Sequence, residues 1–154
     1  MGLDQYLSGR KFLQGYRMPK LREEDGFEIE EIVVKLGYWR KHPDLHGYIV
    51  QNYGPLPRDV DGREVEDGER LDDCSDIGLD MESLQQIIEA VKNDELPTTE
   101  GFFFGTSFTP KDGDMYVQQK KDDLEMLGRA VAWLSLLDAN ADYCWRSVVY
   151  KASW

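Results

Sequence analysis

Two rhythms of apolar and polar positions run along the chain. Leu3, Tyr6, Leu7, Phe12, Leu13 and Tyr16 sit among polar residues with no helical stripe, which predicts an opening strand over 3–16 with a break point near Gly9. A charged turn, Pro19 to Gly26, leads into FEIEEIVVKLGYWR. There Phe27, Ile29 and the Ile32-Val33-Val34 run predict a strand ending near Trp39, because β-branched side chains suit a pleated surface. His42-Pro43-Asp44 marks a helix start, since proline is tolerated in the first turn, and Leu45, Tyr48, Ile49 and Tyr53 share one helical face until Gly54-Pro55. A short strand is expected around Cys74 to Leu79. Asp80 then caps a helix whose Leu84, Ile87, Ile88 and Val91 follow the i, i+3, i+4, i+7 rule, stopped by Leu96-Pro97.

The run Gly101-Phe102-Phe103-Phe104-Gly105 reads as a central strand, followed by the polar turn Thr109 to Gly113. From Asp114, Val117, Leu124, Leu127, Val131 and Leu134, widened by Ala130, Trp133 and Leu137, predict the longest helix, with Gly128 as its weak point and Asn140 as its end. Tyr143 to Tyr150 is a final β-rich run closing at Trp154. Strands and helices interleave without a sustained βαβ pattern or a repeat. The expected fold is therefore α+β, a mixed, largely antiparallel sheet with about three helices packed on one face.

Size and composition narrow this further. A chain of 154 residues suits a single domain over 1–154, and 6 Phe, 4 Trp and 8 Tyr argue against disorder. No apolar run approaches the ~20 residues that span a bilayer, and the N-terminus lacks a signal-like apolar stretch, so the expected location is the cytoplasm, with no membrane partner. Cys74 and Cys144 fit thiols of a reducing compartment better than a disulfide framework.

Charge changes the picture more. The net charge of −12 disfavours direct nucleic-acid binding, which draws on Lys and Arg against phosphate. Residues 55–76 hold nine acids against three arginines, half of the excess charge, in a long solvated loop. A calcium loop needs glycine at its sixth position, whereas Asp59-Val60-Asp61-Gly62 places it at the fourth. Asp59, Asp61, Glu64, Glu66 and Asp67 are instead candidates for contacting a basic surface on a protein.

Against this acidic background, Gly37 to His46 is locally basic. Tyr38 and Trp39 offer rings for stacking, and Arg40, Lys41 and His46 offer contacts for an anion at a helix start, which makes these five the candidate small-molecule site. His42 and His46 are four residues apart, but two ligands do not make a metal site, and neither metal nor cofactor is assigned. Nucleophilic catalysis has little support, with no GxSxG and no Cys beside a His, so no catalytic residue is assigned and the reading leans away from an enzyme.

The opening MGLDQYL, the segment GYWRK followed by His46, the LPT-x-x-GFFFG stretch from Leu96 to Gly105, and the terminal Ser153-Trp154 resemble a family of small proteins of tailed phages and prophages. Arg40, Lys41 and His46 match the family pattern. The chain departs from it at His42-Pro43, where Ala-Asn is usual, at Ala152, where a second Ser is usual, and in its longer acidic loop. The resemblance implies a phage-type accessory protein in the bacterial host cytoplasm. Together these readings predict non-enzymatic inhibition of a host or anti-phage defence protein through the acidic surface. The alternative is a protein that sequesters a nucleotide or nucleotide-derived signal around Trp39, Arg40 and His46, and a metal-dependent nucleotide hydrolase ranks third.

Overall fold

A computed structural model describes residues 2–13, 25–137 and 144–154. Its elements run β1 (Asp4–Leu13), β2 (Glu31–Arg40), α1 (Pro43–Tyr53), β3 (Ile77–Leu79), α2 (Met81–Lys92), a 3₁₀ turn (Pro110–Asp112), α3 (Asp114–Ser135) and β4 (Cys144–Ser153). The strands form one sheet in the order β2-β1-β4-β3, and every pairing is antiparallel. This is the α+β architecture expected, with the helices on the face that carries Leu3, Gln5 and Leu7. Among the described residues the sheet is antiparallel throughout. The opposite face presents Tyr6, Val33, Tyr38 and Trp145 to solvent.

Period-two alternation explains β1, where Leu3, Gln5, Leu7 and Gly9 all point inward. The strand runs through Gly9 without a break because Trp133 of α3 lies against that backbone; a Cβ at Gly9 would meet the indole at 2.7 Å. In β2 the register slips by one between Leu7↔Gly37 and Ser8↔Lys35, so Leu36 is an extra residue. That bulge buries Leu36 and Gly37 in succession and leaves Trp39 facing the helices.

In α3 the buried stripe runs through Asp123, Leu127 and Ala130, flanked by Leu124, Val131, Trp133 and Leu134. Val117 and Leu137, expected on that stripe, are exposed, and Leu137 lies beyond the last residue of the helix. Gly128 does not interrupt the helix. The β3 strand is shorter than expected, Ile77–Leu79, and Cys74 lies outside it with a left-handed φ of 61°.

The largest departure is Gly101–Gly105, which is a turn and not a central strand. The Phe104 N–H bonds the Gly101 carbonyl at 3.1 Å, Gly105 adopts φ 74°, and Phe102 is 92% exposed while Phe104 is buried. A strand would have needed cover for rings on both faces. The place beside β1 is taken instead by the C-terminal β4, and the glycines let one ring of the three enter the core. The expectations at Tyr16, Asn140 and Tyr143, and most of the turn from Pro19, lie outside the described residues.

Asp80 caps α2 as expected: its Oδ1 accepts the Ser83 N–H at 2.8 Å and the Ser83 hydroxyl at 2.6 Å. These bonds, the hydroxyl's first, hold the Asp80 carboxyl below the ordinary carboxylate range. A carboxyl lowered on folding stabilises the fold above its unfolded pKa, and that contribution is lost as pH falls through the folded value. Asp80→Ala should cost about 1 kcal/mol in urea unfolding at neutral pH, and the difference from wild type should shrink toward zero as pH approaches about 2. At the sheet, Gly9→Ala should cost about 1–3 kcal/mol by overpacking, and Trp133→Leu in the same chain should restore part of it.

Candidate functional site

Folding removes several strongly polar side chains from water, and each must then find a partner. His42, at the N-cap of α1, is 3% exposed and Asp123 of α3 is 1% exposed. The His42 Nε2 lies 2.9 Å from Asp123 Oδ2, and the Trp39 indole N–H donates to Asp123 Oδ1 at 2.8 Å. On the other side of the ring, Nδ1 lies 2.8 Å from the Ser107 hydroxyl, whose oxygen also accepts the Asp44 N–H at 3.1 Å. Ser107 and Asp123 thus occupy both ring nitrogens of His42. His42 makes no side-chain cap of α1; Ser107, arriving from a distant loop, supplies it.

The network continues through the backbone. The His42 N–H donates to Gln5 Oε1 at 3.0 Å, and Gln5 Nε2 donates to the Tyr150 hydroxyl at 3.1 Å. That hydroxyl lies 2.7 Å from His46 Nδ1, and His46 Nε2 lies 3.0 Å from both oxygens of Asp72. Burial pushes the Tyr150 phenol well above its ordinary range, so the hydroxyl keeps its proton. Both histidines therefore serve alike, with a hydroxyl on Nδ1 and a carboxylate on Nε2. Phe104, Tyr150 and Trp154 surround the His46 ring at centroid distances of 5.3, 5.9 and 5.6 Å.

Ser107, His42 and Asp123 have the composition of a nucleophilic triad, which the sequence pattern did not reveal. In this structure Ser107 is only 4% exposed, and its oxygen is engaged in capping α1. His42 and Asp123, but not Ser107, line a cavity of about 180 Å³ bounded by the end of α2, the first turns of α3 and the segment around Phe108.

The five candidate small-molecule residues do not converge on that cavity. Trp39 is 6% exposed with its N–H committed to Asp123, so its ring faces the core and offers no open stacking surface. Tyr38 points to the opposite sheet face, where its hydroxyl bonds Asp4. Arg40 and Lys41 are exposed; Lys41 takes φ 56° where the chain turns from β2 into α1, and its side chain runs along Gly105. His46 is buried and paired with Asp72. Neighbouring strand positions face opposite ways, which separates Tyr38 from Trp39.

The acidic candidates share more. Asp59, Asp61, Glu64, Glu66 and Asp67 are all exposed on a loop that folds back on itself. Backbone bonds from Val65 to Pro57 and from Leu71 to Pro55, and the Arg58↔Glu64 bridge, tie its two limbs together. Asp59 Oδ1 accepts the N–H groups of Asp61 and Arg63, both at 2.9 Å, and shapes the tip. Asp72 anchors the base of the loop to His46, and Arg70 anchors it to the Gly54 carbonyl. Glu66, Asp67 and His46 line one groove between the loop and α1.

Gln5, Asp123 and Ser107 went unrecognised in the sequence. The first two carry a signal: Gln5 sits between Leu3 and Leu7 on the inward rhythm of a strand, and Asp123 stands four residues before Leu127 on a buried helical stripe. A polar residue at a core position predicts a buried partner. Ser107 has no comparable signal.

The chain matches no protein-family model, and comparisons with curated proteins and with solved structures give no match either.

Asp123 accepts from two buried donors, and removing it leaves both unpaired. Asp123→Ala should lower the unfolding free energy by about 3 kcal/mol or more. Gln118→Ala, exposed on the same helix, should stay within about 0.5 kcal/mol of wild type. Urea titration followed by tryptophan fluorescence measures both.

Proposed function

We propose that the protein works by non-enzymatic binding, presenting its acidic loop to the basic surface of a host or anti-phage defence protein. The observation that carries this reading is the form of the 55–76 loop: its carboxylates are exposed, yet its backbone is held in one shape and pinned to the core through Asp72 and His46. A shaped loop loses less conformational entropy on binding than a floppy one, and half of the molecule's excess charge sits on it. Such a surface steers a cationic partner during diffusional encounter and sets specificity by charge placement. The phage-type context implied by the sequence resemblance supplies the kind of partner.

Nucleotide sequestration at Trp39, Arg40 and His46 gains no support from the positions of those side chains. Replacing Asp59, Asp61 and Asp67 with Asn and Glu64 and Glu66 with Gln keeps side-chain oxygens, including the Asp59 acceptor that shapes the tip. The quintuple variant should fold normally. Immobilised wild-type chain should retain basic proteins from bacterial lysate at about 50 mM salt and release them at about 500 mM. For any protein so retained, the variant should show an association rate severalfold lower by surface plasmon resonance. An unchanged rate, or retention that ignores salt, removes this reading.

A further inference from the structure

We propose that the cavity over the His42–Asp123 pair is a binding site for a small organic cation, a primary ammonium group on a compact apolar body. The site is separate from the acidic loop and does not depend on how that loop acts.

Size sets the first limit. The cavity measures about 180 Å³, a little more than the ~150 Å³ that admits a benzene ring. Its walls include the rings of Phe108 and Tyr116 and the aliphatic side chains of Val91 and Leu96, which suit an apolar body.

Charge selects the head group. Asp44, Asp94 and Asp123 line the space against a single lysine, Lys120. The Lys120 ammonium is already committed, 3.0 Å from Asp94 Oδ1 and 2.9 Å from the Lys92 carbonyl. Among the described residues, no Lys or Arg pairs with Asp44 or Asp123. Each Asp123 oxygen takes one donor, from Trp39 or His42, and the residue is 1% exposed, so it lends negative charge to the cavity rather than a contact. Asp44 Oδ1 accepts only the Thr99 N–H among the described bonds. An ammonium group can donate to Asp44 within the negative field of Asp123, and aromatic faces attract cations further. One lining residue already makes such contacts: Lys120 Nζ, partly exposed, sits 6.0 Å from the Tyr116 ring centre and 3.0 Å from Asp94 Oδ1. An anion would face the two carboxylates.

Benzylammonium is the probe, with benzyl alcohol and benzoate as neutral and anionic counterparts of the same shape. In ¹⁵N-labelled full-length chain, benzylammonium should move the amide signals of Phe108, Gln119 and Lys120 saturably and raise the melting temperature. Benzyl alcohol should bind about tenfold more weakly, and benzoate should not bind. Asp44→Asn keeps the oxygen that accepts from Thr99 while removing the charge, and should weaken benzylammonium about tenfold with folding intact. Phe108→Ala should weaken it as well, whereas Phe102→Ala, outside the cavity, should not. No saturable shift up to about 10 mM, equal binding of benzyl alcohol, preference for benzoate, or indifference to Asp44→Asn would each overturn the proposal.

Discussion

A buried polar group must be paired, and in this protein a single connected set of hydrogen bonds meets that requirement for most of the interior. From Ser107 through His42 to Asp123 and Trp39, and from the His42 N–H through Gln5, Tyr150 and His46 to Asp72, the set touches β1, β2, α1, α3, β4, the acidic loop and the 107 segment. Apolar packing is non-directional and tolerates small shifts, whereas these bonds fix angles and registers as well as distances. Loss of one member leaves another donor or acceptor stranded at low dielectric, so the elements are coupled more tightly than apolar contact alone would make them.

That coupling is what gives the exterior its form. The loop carrying half of the excess negative charge is joined to that network through Asp72, whose carboxylate reaches the buried His46. The cavity owes its floor to the same network: Asp123 is held by Trp39 and His42, and the 107 segment is held in place because Ser107 completes the first turn of α1. Two surfaces of different chemistry, an exposed anionic loop and a recessed aromatic and acidic pocket, thus rest on one internal scaffold.

Much of the fold was legible because it follows local rules. The amphipathic stripes of α2 and the middle of α3, the Asp80 cap, the proline at the start of α1 and the β-branched run of β2 all appear where the residues predict them. The errors share a cause. Phe102 to Phe104 read as a strand by composition, yet a strand forms only where a neighbouring edge is free, and β4 occupies that edge from the far end of the sequence. Val117 and Leu137 fit a helical stripe, but a stripe is buried only where another element packs against it, and both are exposed. Tyr38 to Lys41 looked like one cationic and aromatic cluster because they are adjacent in the chain, and strand alternation then sends successive side chains to opposite faces.

Sequence alone determined the α+β class, the helical faces, the isolation of negative charge in residues 55–76 and the predominance of acids over bases. Each of these depends on neighbours within a few positions or on simple counts. Tertiary structure alone decided that His42 meets both Ser107 and Asp123, that His46 meets Tyr150 and Asp72, and that a cavity opens beside Phe108 and Tyr116. Those contacts join residues tens of positions apart, and hydrogen bonds act over about 3 Å. No local pattern encodes them; they exist only once the sheet order and the packing of the helices on the sheet bring the partners within reach.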